Sequence, residues 1–169
     1  MLKAMIRGWM WFVIVGVAGV GVAEGAHSAQ DAPAADSRYV IRGETVYDKK
    51  TDLTWQRCSV GQRWVEETGC VGVIKTFTFD LAKQQGDGMW RVPPKRKLAT
   101  LIDAKRKANN QRPTIDEVAF PDMDLEHLVY WSSTPRGASN AWFVSFDKSY
   151  IYFDYRSTPR AVRLMRSGR

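Results

Sequence analysis

Three consecutive hydroxyls, Ser132, Ser133 and Thr134, follow Tyr130-Trp131, with His127 just upstream and the carboxylates Asp122 and Asp124 before it. Nucleophilic catalysis needs such a hydroxyl held against a base that a third group orients. Neither serine stands in a Gly-x-Ser-x-Gly elbow, and His127 is the one histidine outside the leader region. An enzyme would have to unite His127, Asp122 or Asp124 with Ser132 or Tyr130 in one pocket. The hydroxyls read instead as partners for backbone groups where a buried strand leaves the core, and the chain reads as non-enzymatic.

The second group of chemically suggestive residues is basic. Lys95-Arg96-Lys97 and Lys105-Arg106-Lys107 are triplets eight residues apart in a chain of formal charge +7, and Arg112 follows. Spaced in this way they suit an electrostatic footprint for a sulfated or acidic polysaccharide, or form a solvated helix face. No nucleic-acid-binding motif accompanies them, so nucleic acid is not among the expected partners. Tyr152 and Arg156 add an aromatic row beside basic residues, suited to sugar stacking or an envelope protein partner.

Carboxylates cluster at Asp116, Glu117, Asp122, Asp124 and Glu126, but without EF-hand spacing; neither a metal nor another cofactor is expected. Cys58 and Cys70 are the only cysteines. An even pair in an exported chain argues for one disulfide, worth about 3 kcal/mol for a loop of this size. A redox pair would favour Cys-x-x-Cys spacing, and two thiols without companion histidines make a poor metal site.

Export itself is read from residues 1–28. Lys3 and Arg7 precede an apolar run from Gly8 to Ala23, and small residues follow, with cleavage expected after Gly25 or Ser28. The run is shorter than the ~20 residues of a spanning helix, so no stable membrane span is expected after cleavage. Lys3, Arg7 and Glu24 leave with the leader, and the remaining chain carries +6. Residues 29–37 read as a flexible lead-in and residues 38–169 as a single domain, periplasmic, secreted or at the cell surface.

The elements that position these residues can be placed in order. Tyr39–Arg42 and Thr45–Asp48 flank Gly43-Glu44 as a tight hairpin, and Leu53–Arg57 alternates as a third strand. Phe77–Gln85 reads as a short helix capped by Thr78, and Pro94–Lys107 as a second helix with Leu98, Leu101 and Ile102 on its apolar side. Tyr130–Thr134 reads as a central buried strand, and Pro135–Asn140 as a loop. Trp142, Val144 and Phe146 then alternate, Tyr150–Tyr155 returns, and Ala161–Met165 closes the domain. Trp55, Trp90, Trp131 and Trp142 are the expected aromatic core, with Phe120 plugging it from an irregular segment.

Four stretches together carry a family resemblance: Val46-Tyr47-Asp48 with Thr51 to Cys58; Trp90-Arg91-Val92-Pro93 before a helix; Phe120-Pro121 followed by Tyr130 to Thr134; and Ala141 to Phe146 with Val162 to Arg166. In their order and spacing the chain resembles the Lcl C-terminal-like domain, a bacterial family of largely unknown function with a C-type-lectin-like fold. The resemblance implies an α+β fold with two helices packed on small antiparallel sheets, chain ends close together, and loops presenting a binding surface. Related formylglycine-generating enzymes use a reactive cysteine pair that Cys58 and Cys70 do not match in position. Calcium-dependent lectins use Glu-Pro-Asn and Trp-Asn-Asp tripeptides, and neither occurs in this sequence. Some family members are adhesins for sulfated polysaccharide, which fits the basic triplets.

Overall fold

A computed structural model describes residues 37–169. The expected leader, and all of the lead-in except Ser37, lie outside the described residues. The rest is a mixed α+β structure of small antiparallel sheets, short helices and one disulfide.

The first sheet forms as its sequence pattern dictates. β1 (Tyr39–Arg42) and β2 (Thr45–Asp48) turn at Gly43-Glu44, and β3 (Leu53–Gln56) follows a polar turn. Gly43 takes φ +52°, the left-handed conformation such a two-residue turn requires. The chain's last strand, β9 (Met165–Ser167), then pairs antiparallel with β3, giving the order β1-β2-β3-β9. The two ends of the domain therefore share one sheet.

After β3, the segment between the cysteines folds into its own hairpin of β4 (Gln62–Val65) and β5 (Gly69–Gly72). Cys58 and Cys70 are joined, with their Cα atoms 5.5 Å apart. The disulfide ties the hairpin's returning strand to the end of β3.

The helices are shorter than the sequence pattern suggests. α1 spans Phe79–Ala82; Thr78 stands at its N-cap, but its side chain makes no capping hydrogen bond. The single helix expected over Pro94–Lys107 is three pieces: α2 (Lys95–Leu98), a 3₁₀ turn (Ala99–Leu101) and α3 (Ala104–Ala108). Ile102 and Asp103 are extended between them. Asp103 causes the break, since its backbone N–H bonds Thr114 O at 2.8 Å and its carboxylate accepts from Arg106 N at 2.8 Å, starting a new helix.

The third sheet is β6 (Val129–Arg136), β7 (Asn140–Ser145) and β8 (Tyr150–Tyr155), in that order. Its central strand is β7, not the Tyr130–Thr134 stretch. A bulge between Trp131 and Pro135 carries β6 on to Arg136, so the loop expected over Pro135–Asn140 shrinks to three residues. β6 is buried nonetheless, because the segment before β9 covers its outer edge: Trp131 N donates to Ala161 O at 3.0 Å and Ala161 N to Val129 O at 3.2 Å. Ser133 N donates to Pro93 O on the same side. The closing strand itself starts at Met165, not Ala161, because residues 161–164 serve as this cover.

Two apolar clusters lie on opposite faces of this sheet. Tyr130, Val144 and Phe146 join Trp55, Leu98, Leu101 and Phe120 on one face; Trp131, Ala141 and Phe143 join Phe79, Val162 and Leu164 on the other. Strands buried on both faces lose the clean alternation of a half-buried strand, as β7 does. Trp55 and Trp131 are wholly buried, as expected. Trp90 and Trp142 are only half-buried and belong to the margin of the core, since each has an arginine or lysine drawn over its ring. Full burial of a large apolar side chain stabilises by about 1.5–3 kcal/mol, so Trp55 and Trp131 are the anchors.

Candidate functional site

The two basic triplets part company where Asp103 breaks the helix. Lys95 N donates to Thr134 Oγ1 at 3.0 Å, and Lys95 Nζ lies 3.3 Å from the centroid of the Trp142 ring. Trp142 meets Phe153 edge-on, and the Arg136 guanidinium sits 3.4 Å over Phe153. Cation and ring thus alternate along one face of the third sheet, which occupies the ring faces with the protein's own charges. Arg96 and Lys97 remain exposed.

In the second triplet, Arg106 is turned inward: Nε donates to Pro113 O at 2.7 Å and the guanidinium pairs with Glu117. Lys107 Nζ reaches Ser149 O at 3.3 Å, and Lys105 is exposed. Tyr152 is 53% exposed and packs against Tyr150 and Phe153. Arg156 is committed elsewhere, over the Phe79 ring, to Ala138 O at 3.1 Å and to Asp80 at 3.4 Å. Arg160 likewise pairs with Asp154 at 2.5 Å and covers Phe143. The aromatic row of β8 is therefore exposed, but its neighbouring arginines already have partners.

What the fold does assemble is a cleft of about 320 Å³ between the exit of α3 and the β7–β8 turn. Lys107, Arg112 and Lys148 line it together with Asn110, Gln111, Thr114 and Ser149. Its single carboxylate, Asp147, is paired with Arg112, so the lining keeps an excess of positive charge. Asn110 at φ +52° turns the chain at the helix exit, a conformation asparagine accepts more readily than most residues. The Thr114 hydroxyl donates to Phe146 O at 2.7 Å and fixes the wall. Only Lys107 of the six triplet residues contributes. Arg112, just past the second triplet, and Lys148, in the turn after β7, were visible in the sequence; their meeting with Lys107 depends on tertiary contact.

The side chains singled out for possible catalysis each have a partner within the fold, and Tyr130 and Asp122 meet at Ser59. Ser132 Oγ donates to Trp142 O at 2.6 Å, the backbone service expected of it, and Thr134 serves Lys95. His127 pairs with exposed Asp124 at 3.0 Å. Asp124's slight burial raises its carboxyl, but the His127 hydrogen bonds outweigh this and hold it below its ordinary value. Tyr130 OH bonds Ser59 Oγ at 2.8 Å, and burial pushes its phenol up to about 12 against the opposing charge of Arg163. Asp122 is consumed by Arg163, 2.6 Å away. Among the described residues no group of three or more His, Cys, Asp or Glu side chains is placed to hold a metal ion, and no helix is long and apolar enough to cross a membrane.

Curated proteins give no match to the chain. The family model described as the Lcl C-terminal domain matches residues 44–166, from the β1–β2 turn into β9, including the disulfide, the α3 cleft and all three strands of the third sheet. That span is well over half of the sequence, and the chain belongs to the Lcl C-terminal domain family.

Proposed function

We propose that this chain is an exported, non-enzymatic binding module of C-type-lectin-like fold that holds a polyanionic glycan at the cell envelope or surface. The observation that carries the reading is the α3 cleft, where Lys107, Arg112 and Lys148 converge around hydrogen-bonding amides and hydroxyls with one already paired carboxylate. Amides and hydroxyls suit the sugar hydroxyls of such a polymer, and the cations suit its sulfate or carboxylate groups. Exposed Lys105, on the same short helix as Lys107, adds to the positive field near it. Binding to immobilised heparin across a salt series, with and without calcium, tests this. Saturable retention with a steep salt slope, lost on combining Lys107→Gln, Arg112→Gln and Lys148→Gln, supports the reading. Retention that these changes leave intact counts against it.

A second reading is an assembly component of an envelope appendage. It is supported by β8, the outermost strand of the third sheet, which exposes Tyr150, Ile151, Tyr152 and Tyr155. Such an edge offers backbone groups and aromatic area to a protein partner. Envelope crosslinking that persists unchanged with Tyr152→Ser and Tyr155→Ser would remove its support.

A further inference from the structure

A second cleft of about 320 Å³ lies between the exit of α1 and β6, and shares no residue with the α3 cleft. Lys83, Gly86, Gly88, Trp90, Arg91, Val92 and Ser133 form its lining. Two cations meet there with no carboxylate in the wall. The nearby Asp87 has Oδ1 engaged by Trp90 N at 3.0 Å, closing the turn that shapes the cleft. That turn is tight: a Cβ on Gly86 would stand 2.3 Å from Trp90 O, so only glycine lets the two backbones approach. Gly88, at φ +87°, leaves open space above it.

The donors available in this cleft are specific. Arg91 spends Nη2 on Ser167 Oγ at 2.7 Å, which orients its planar guanidinium while leaving its remaining N–H groups. Lys83 extends from the end of α1, where its Nζ lies 5.7 Å from the Phe79 ring. Ser133 also lines the cleft; its backbone N–H donates to Pro93 O at 2.8 Å, and its hydroxyl makes no hydrogen bond among the described residues. Trp90 is half-buried, with Arg166 5.5 Å from its ring. An indole surface accepts the apolar face of a ring, a fixed guanidinium suits a planar carboxylate, and an ammonium and a hydroxyl complete the recognition of an acidic, hydroxylated molecule.

We propose that this cleft binds a single uronic-acid ring, its carboxylate between Arg91 and Lys83 and its ring against Trp90. The choice of a sugar among ring carboxylates rests on the glycan reading above; the carboxylate requirement rests on this cleft alone. The test is a titration of the full-length chain with glucuronate, followed by the indole N–H resonance that Trp90→Phe identifies. A saturable shift of that resonance is expected, weakened about tenfold or more by Lys83→Gln and by Arg91→Gln, and by replacing glucuronate with glucose or glucuronate methyl ester. No saturable shift, an equal response to glucose, or affinity unchanged in both variants would overturn the proposal, as would inorganic sulfate competing as strongly as glucuronate. The Lys83 side chain is exposed and makes no hydrogen bond among the described residues; only its backbone N–H is used, by Phe79 O, so its variant does not depend on a perturbed fold. Heparin retention by the α3 cleft variants is read separately. Loss of glucuronate binding with retention intact overturns only this subsite, and loss of retention with glucuronate binding intact overturns only the polyanion reading.

Discussion

Arg163 and Asp122 form an ion pair 2.6 Å long in which both side chains are wholly excluded from solvent. It joins the segment that covers β6 to the irregular loop carrying Phe120, 41 residues away in sequence. Arg163 Nη1 also donates to Gln56 O and Arg57 O, while Asp122 Oδ2 accepts from Ser59 N at 2.5 Å. Four segments, including the end of β3 and the start of the disulfide loop, are thus fastened at one buried charge pair. Burial alone would lower the Arg163 guanidinium, but the charge and hydrogen bond of Asp122 raise it above its ordinary value.

Removing one partner should therefore cost far more than removing both. Asp122→Asn leaves an uncompensated buried guanidinium and is expected to destabilise by about 3–5 kcal/mol in urea unfolding. The double variant Asp122→Leu with Arg163→Met should recover much of that loss. A double variant no more stable than the single one would show that the neighbouring hydrogen bonds, rather than the charge balance, hold this junction.

Tyr130 gives the fold a weakness at high pH. Its phenol ionises at 10.0 ordinarily and at about 12 in the folded chain, so the unfolded chain loses its proton first as pH rises. The contribution is complete below pH 10 and is lost between 10 and about 12, at roughly 1.4 kcal/mol per pH unit. Buried Tyr39, raised mainly by desolvation, adds to the same trend. Tyr130→Phe should make alkaline unfolding shallower by about one proton, measured as the pH dependence of the urea midpoint. An unchanged slope would mean that Tyr130 does not titrate on unfolding.

Asp48 produces the opposite trend in acid. Burial alone would raise its carboxyl, but hydrogen bonds from Arg38 and Thr51, with the Arg38 charge, hold it below its ordinary 3.8. Its contribution is complete above pH 3.8 and drains as pH falls through the lower folded value. Thermal unfolding of Asp48→Asn should be less stable than the parent near neutrality and should converge with it in strong acid. Parallel curves would show that the pair's charge is irrelevant.

Asp103 is expected to be worth about 1 kcal/mol as the cap of α3. Asp103→Ala should abolish hydrogen-exchange protection of the Arg106 amide, which bonds the Asp103 carboxylate at 2.8 Å, and Asp103→Asn should restore most of it. Because α3 aims Lys107 at the cleft, heparin retention should fall in the alanine variant too. Protection that survives in Asp103→Ala would assign the break in the helix to the Thr114 contact instead.

Local chemistry made part of this structure legible. The Gly43-Glu44 turn, the paired cysteines, the buried Trp55, Trp131 and Phe120, and the backbone role of Ser132 and Thr134 follow from side-chain type and short-range spacing, and the four ordered motifs pointed to the family. Long-range contacts decided the rest. The apolar spacing of Leu98, Leu101 and Ile102 favoured one helix, yet Thr114, from a later loop, drew Asp103 out of it and separated the two basic triplets. Tyr130–Thr134 had the composition of a central strand, yet became an edge strand buried by the chain's own C-terminal segment. Arg163 looked like one more residue of an alternating strand until Asp122 met it in the core. A sequence alone determines which side chains can bury, turn or carry charge; only the folded chain decides which charges neutralise one another and which, at Lys107, Arg112 and Lys148, converge on a cleft with a charge excess.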